Sequence, residues 1–376
     1  AFLRQPLPRS REEGIVVAEE EVVAETVVGR VDAGVINLPP RSQIGPGKGF
    51  KAYRVVADQP VIAYQFNPLN NTDQAFSNDA SLLIPAHTLR DEYRVVTGDG
   101  LSGGMLGDNW AATITVVGTT EEPVTVRVEA THDIEPISGD VSVDGRVVEA
   151  TLSRYEVLSV HSAPDADPFD GAGPNLSGSL VRSTGPVAVF AGNIASVVPT
   201  GDGMSCCADH LEEMMWPVAT WGRLFVAPRS LVRRRRNPEP DYWRLTGSED
   251  GTTLEYFPRV PQGAPEALDA GDSVEFQSTA HFAVQASAPV QLTQFLSSSG
   301  QVAGPMGPRY EPCAAEGAAG DAECTEREGY LASCTPVGFG DPVCAPISDP
   351  AMVLVPPTEQ FRDTYVFLAP NDYQID

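Results

Sequence analysis

Apolar and polar residues alternate over several short stretches of this chain, and the same stretches return in the same order. Thr113 to Gly118 (TITVVG) and Tyr242 to Gly247 (YWRLTG) alternate, and each is followed after an acidic turn by a second such run, Val124 to Val128 or Thr252 to Tyr256. A period of two puts one strand face on a core and the other in water, so each pair predicts an antiparallel hairpin. Pro60 to Phe66, Pro186 to Phe190 and Pro289 to Phe295 each follow an alternating apolar run and a short polar segment. Each of these predicts a strand, a tight turn and a returning strand.

A second anchor follows each proline-led block. Pro85, Pro217 and Pro357 are followed at +3 by Thr88, Thr220 and Gln360, at +4 by Leu89, Trp221 and Phe361, and at +8 by Tyr93, Phe225 and Tyr365. Asp79, Asp209 and Asp349 precede them, and the prolines recur 132 and 140 residues apart. That period is too long for a solenoid and implies three copies of one module. The copies are expected at 14–97, with a divergent opening at Gly14 to Val35, at 108–228, and at 241–376. The third carries an insertion at 297–348 and stops just after its aromatic anchor, so its following strand is expected to be missing. Helical signals are few: Ala208 to Met215 (ADHLEEMM), with Asp209 as N-cap, predicts one or two turns. The expected fold is all-β, three tandem antiparallel β-sandwich-like repeats, with a pseudo-threefold arrangement as one way to close them.

Composition narrows the function. With 51 acidic and 25 basic residues the net charge is −26, and phosphate binding needs Lys and Arg to displace counterions. Nucleic acid is excluded as a partner. Apolar runs such as Ala351 to Val355 are about a quarter of the length that spans a bilayer. No transmembrane segment is expected, and a lipid anchor could lie outside this chain. Six cysteines, Cys206, Cys207, Cys313, Cys324, Cys334 and Cys344, make an even number, and the last four sit at spacings of 11, 10 and 10. They lack the paired Cys-x2-Cys spacing of zinc ligands and predict disulfides in an oxidising compartment. Local Cys313 to Cys324 and Cys334 to Cys344 bridges, or one from Cys206 or Cys207 to the later loop, all fit the spacing.

Three stretches carry a family resemblance: Ala63-Tyr64-Gln65-Phe66-Asn67-Pro68 through Ser77-Asn78-Asp79-Ala80-Ser81; Cys207-Ala208-Asp209-His210-Leu211-Glu212-Glu213 through Trp221-Gly222; and Asp349-Pro350-Ala351-Met352 through Phe361. Together they resemble the N-terminal domain family of IgGFc-binding protein over roughly residues 45 to 376, and similar domains occur in bacterial surface proteins. The resemblance implies an extracellular or outer-surface protein that binds rather than catalyses. Arg outnumbers Lys 23 to 2, which fits a GC-rich bacterial genome and points to surface recognition or adhesion rather than Fc binding.

Several clusters are candidate sites. Asp209, His210, Glu212 and Glu213 beside Cys206 and Cys207 could bind metal or move protons. Asp79 and Asp349 lack a following His, which favours a structural role for the acidic position. Arg233, Arg234, Arg235 and Arg236 form the one concentrated positive block, suited to sialylated or sulfated glycan because guanidinium pairs bidentately with oxyanions. Such runs are also common as solvated connectors. Asp165, Asp167 and Asp170 could hold calcium, but Pro168 breaks the EF-hand spacing and the bidentate Glu is missing. Trp221 is expected in the core. The sequons at Asn70 and Asn175 matter only in a glycosylating host. No His-Glu-x-x-His or phosphate loop occurs, and no cofactor is implied.

These readings converge on a non-enzymatic binding or adhesion protein that recognises an extracellular protein or glycan through loops between repeated strands. The alternatives are a structural envelope or matrix component and, third, a hydrolase centred on Asp209 and His210.

Overall fold

The computed structural model describes residues 2–6, 20–28, 33–38, 45–67, 79–101, 109–165, 173–199, 208–304, 309, 311–313, 318–336 and 341–365. The first strands are β1 (Phe2–Pro6), β2 (Glu20–Glu25), β3 (Gly47–Phe50), β4 (Arg54–Val56), β5 (Ala63–Asn67), β6 (Asp79–Leu83) and β7 (Arg90–Arg94). β8 (Ala112–Gly118), β9 (Val124–Glu129), β10 (Ser142–Asp144), β11 (Val147–Leu152), β12 (Glu156–His161), β13 (Leu180–Ser196), β14 (Asp209–Met214) and β15 (Gly222–Ala227) follow. The last group is β16 (Asp241–Gly247), β17 (Thr252–Phe257), β18 (Ala267–Leu268), β19 (Ser273–Ser278), β20 (Phe282–Leu296), β21 (Ala332–Pro336), β22 (Pro342–Pro346) and β23 (Ala351–Val355). Two helices, α1 (Ser299–Ala303) and α2 (Ala318–Glu328), lie in the cysteine-rich insertion. The protein is all-β and antiparallel, and no helix among the described residues is long and apolar enough to cross a membrane.

Two long strands organise it. Residues 180–183 of β13 pair with β9, and 180–182 also pair with β7; residues 187–193 pair with β8, and 190–196 run against β14. β20 repeats the plan: its first half lies between β15 and β17, its second between β16 and β23. Each long strand thus changes neighbours halfway along, and side chains from both halves meet in one core. In the first core Val126, Val128 and Val181 join Ile114, Val116 and Val189; in the second Leu254 and Val284 join Trp243, Leu245 and Leu292.

The tight turns expected at Pro186 and Pro289 are not turns. Both prolines sit inside continuous strands, at the step where the neighbours change and the pairing of β13 with β7 slips register between Arg182 and Val187. Proline has no N–H to give a ladder, so an unpaired bend is where a strand tolerates it. Pro60 separates β4 from β5, which belong to different sheets.

The helix expected over Ala208 to Met215 is also a strand, β14. Its polar residues had suggested a helix cap, but Asp209, Leu211 and Met214 point inward while β13 satisfies the backbone. The hairpin strands, by contrast, fall where alternation places them: β8 alternates buried and half-buried positions and β9 buried and mostly exposed ones. β16 is buried throughout. Trp243 and Leu245 face the second core, and Tyr242 joins the first with Phe295, Met352 and Leu354, so this sheet is covered on both sides.

Each proline anchor opens a single 3-10 turn, Ala86–Thr88, Val218–Thr220 or Thr358–Gln360. The Thr88 and Thr220 hydroxyls donate to the carbonyls of Pro85 and Pro217. After the first two turns the chain leaves the β6 hairpin or β14 and enters the next sheet, as β7 beside β13 and β15 beside β20.

Candidate functional site

Two charged regions carry the residues of interest. The first lies where the β5–β6 hairpin meets β14. The Asp79 carboxylate accepts from the amides of Ala80 (2.8 Å) and Glu212 (2.9 Å). Ser81 accepts from the Met214 amide at 2.6 Å and donates to Glu213 Oε2 at 3.2 Å. Gln65 donates to Glu212 Oε1 at 2.6 Å, and Asn67 Nδ2 lies 3.1 Å from His210 Nε2. His210 is also 3.8 Å from Glu212 Oε2, and Asp209, itself buried, accepts from the His210 amide at 2.7 Å.

Burial sets the protonation of Asp79 and Glu213. Asp79 is pushed up to about 7 by burial, against the pull of the Glu212 and Ala80 amides and of His210. Burial and the Asp79 charge drive Glu213 well above the usual carboxylate range. Burial alone would lower His210, but the hydrogen bond and charge of Glu212, with Asp79, raise it. The cluster can store protons at neutral pH. Ser81 is fully buried with its hydroxyl engaged on both sides, so it offers a substrate nothing to attack it with. Asp209 and His210 are thus brought together with Asp79, Glu212 and Glu213, and the hairpin covers them.

The second region joins the arginine run to the cysteine-rich insertion. Arg233 is buried: its amide and Nε donate to Glu239 Oε1 at 2.8 and 3.1 Å, Nη1 donates to Ser348 Oγ and Nη2 to Ser297 Oγ at 3.2 Å. Glu239 is fully buried, yet the amides of Arg233 and Arg234 outweigh that burial and hold its carboxyl below the usual range. Arg234 donates from its amide to Glu239 Oε2 at 3.0 Å and from Nε to the Asn237 carbonyl at 2.5 Å. The Leu331 amide donates to the Arg233 carbonyl at 2.8 Å and the Arg235 amide to the Gly329 carbonyl at 3.1 Å. Half of the run therefore frames the insertion, and only Arg235 and Arg236 are exposed.

Inside the insertion the bridges are Cys313–Cys334 and Cys324–Cys344. The neighbouring pairs that spacing allowed do not form. β21 and β22 bring Cys334 opposite Cys344, each joins the cysteine beyond its neighbour, and the crossed pair packs with Val302, Tyr330 and Ala332. Cys313, Cys324 and Cys344 are mutually close but tied in these bridges. An open depression of about 510 Å³ lies against the insertion, lined by Arg235, Asp321, Ala322, Thr325, Glu326, Leu331, Ala332 and Ile347.

Cys206, Cys207, Asn70, Asp167 and Asp170 lie outside the described residues. Asp165 accepts from His132 Nε2 at 2.9 Å. Asn175 Nδ2 donates to Asp99 Oδ1, so this sequon amide is engaged. Trp221 is buried as expected, its indole donating to the Trp216 carbonyl.

Arg244 is the residue sequence reasoning missed. From β16 it donates to the Thr97 carbonyl and Ser177 of the first sheet's loops, to Asp99 at 3.4 Å and to Glu275 at 2.8 Å, and it stacks 5.3 Å from the Phe295 ring. The signal was its position opposite Trp243 in an alternating strand, which left a cation facing a second buried surface.

No curated protein and no solved structure matches the chain. The model of one family, described as IgGFc binding protein, matches residues 79–375, well over half the length; the chain belongs to the IgGFc-binding protein family.

Proposed function

We propose that this is a non-enzymatic, exported cell-surface binding protein whose ligand face is built from Arg235, Arg236 and the disulfide-tied insertion. One observation carries the reading: the run and the insertion are joined backbone to backbone at Arg233–Leu331 and Arg235–Gly329, residues 98 and 94 apart in sequence. Buried Arg233 and Glu239 hold the frame, leaving two guanidinium groups outward in a strongly acidic chain. Such a pair suits a protein or glycan ligand bearing carboxylate or sulfate groups. The crossed disulfides fit an oxidising, extracellular setting. The scaffold reads as three copies of one sheet unit, supported by the three proline-led 3-10 turns and the matching plans of β13 and β20.

The test is the double variant Arg235→Glu with Arg236→Glu, screened on an array of sulfated and sialylated glycans and on immobilised immunoglobulin Fc. Both side chains are exposed, so the fold is retained. The expected result is a salt-sensitive signal with the parent chain that drops at least about tenfold in the variant. Equal binding by both proteins, or no binding by the parent, overturns the assignment.

A further inference from the structure

The two bridges of the insertion lie against each other. The sulfurs of Cys313, Cys324 and Cys344 are all within 4.8 Å of one another, although Cys313 is bonded to Cys334 and Cys324 to Cys344. Cys324, Cys334 and Cys344 are buried, whereas Cys313 packs against them only partly buried. A thiol in solution therefore meets Cys313 first, and access helps decide which sulfur is attacked.

β21 and β22 place Cys334 directly opposite Cys344. Their amides turn elsewhere: that of Cys334 donates to Asp321 Oδ1 at 2.8 Å and that of Cys344 to the Glu311 carbonyl at 2.9 Å. Opposed residues that do not bond each other are the close pair of an antiparallel ladder, with Cα atoms about 4.5 Å apart, a span that a disulfide bridges. The four side chains thus accommodate a second pairing, Cys334 with Cys344 and Cys313 with Cys324. Arg327 Nη2 donates to Cys344 Sγ, which puts a cation where a thiolate of Cys334 would arrive.

We propose that Cys313 is a thiol-reactive site through which the insertion exchanges its crossed bridges for the neighbouring pair. A small thiolate attacks Cys313 Sγ and forms a mixed disulfide there, breaking the bond to Cys334, which leaves as thiolate. Cys334 attacks Cys344 Sγ, so the Cys334–Cys344 bond forms, the Cys324–Cys344 bond breaks and Cys324 leaves as thiolate. Cys324 then attacks Cys313 Sγ, forming Cys313–Cys324 and returning the small thiolate. Two bridges break and two form, nothing is oxidised or reduced overall, and the thiol acts as a catalyst. The exchange frees α2, which carries Cys324, from its tie to β22, and α2 lines the depression beside Arg235. The chemistry does not depend on the ligand face proposed above.

The test treats the whole oxidised chain with substoichiometric glutathione under argon, then quenches with acid, alkylates, and maps the bridged peptides by mass spectrometry. Cys313–Cys324 and Cys334–Cys344 are expected to appear together and in equal amounts, beyond the quantity of thiol added, and several-fold more slowly in Arg327→Gln. Cys324→Ser leaves the Cys344 thiol facing Cys334, so a Cys334–Cys344 bridge with a free Cys313 thiol is expected without any added glutathione. Crossed bridges alone in the parent at all times, Cys313–Cys334 alone in Cys324→Ser, or new bridges that draw in Cys206 or Cys207 overturn the proposal.

Discussion

β14 and β23 hold the same place, each the outer neighbour on the second half of a bent long strand, yet their sequences have little in common. β14 reads DHLEEM and β23 reads AMVLV. β14 is covered by a hairpin presenting Gln65, Asn67 and Ser81, so its outer face must be polar. β23 turns Met352 and Leu354 into the first core. The scaffold tolerates either chemistry because the backbone ladder, not the side chains, holds the outer strand. The face it presents then decides whether that junction senses pH.

That contrast presumes that the two sheets act as one body, and Arg244 is the place to break it. Arg244→Met leaves Asp99 and Glu275 facing a covered junction without their cation, and urea unfolding is expected to show a loss of about 3–5 kcal/mol. Two separated transitions instead of one would mean the strands belong to independent units.

The acidic junction should give a pH dependence of opposite sense to ordinary acid denaturation. Asp79 and Glu213 have raised folded pKa values, so the native state binds more protons than the unfolded one. His210, also raised, contributes stability that is lost as pH climbs through its folded value. All three act in one direction. For Asp79 alone, stability should fall by on the order of 3 to 4 kcal/mol as pH rises from about 4 to about 7. Melting curves of Glu213→Gln should be flatter across that range, and an unchanged slope would place the proton elsewhere.

The β23 side can be loosened selectively. Replacing Cys324 and Cys344 together by Ser opens a loop whose ends are 20 residues apart, which removes about 3 kcal/mol by loop entropy. Hydrogen exchange should show faster amides in β21, β22 and β23, with β14 unaffected. Tyr93→Phe makes the first anchor match Phe225 and removes the 2.7 Å bond from Tyr93 Oη to the Val187 carbonyl. About 1 kcal/mol is expected in chemical denaturation, and no change would mean that the hydroxyl is incidental.

Much of the sheet was legible in the sequence because alternation reports one-sided burial directly, as in β8, β9 and β17. Pro186 and Pro289 misled because proline signals a turn locally, while their real setting, a strand changing neighbours, depends on pairing some 70 residues away. β14 misled because Asp, His and Glu look solvated until the β5–β6 hairpin is placed over them. Arg233 shows the same limit: the run read as uniformly exposed, and only Ser297, Ser348 and Glu239, distant or beyond a turn, make its first member an interior residue. The crossed disulfides needed the β21–β22 register, which spacing alone does not contain.

The passage of β7 and β15 into the following sheet has a practical consequence for cutting the gene. A fragment bounded by the apparent repeat would end with a strand whose partners were discarded, and would start without the strand that closes its own flank. Such pieces would stick to one another through exposed backbone, whereas a segment that starts at an anchor proline keeps the entering strand beside its partner, β7 with β13 or β15 with β20.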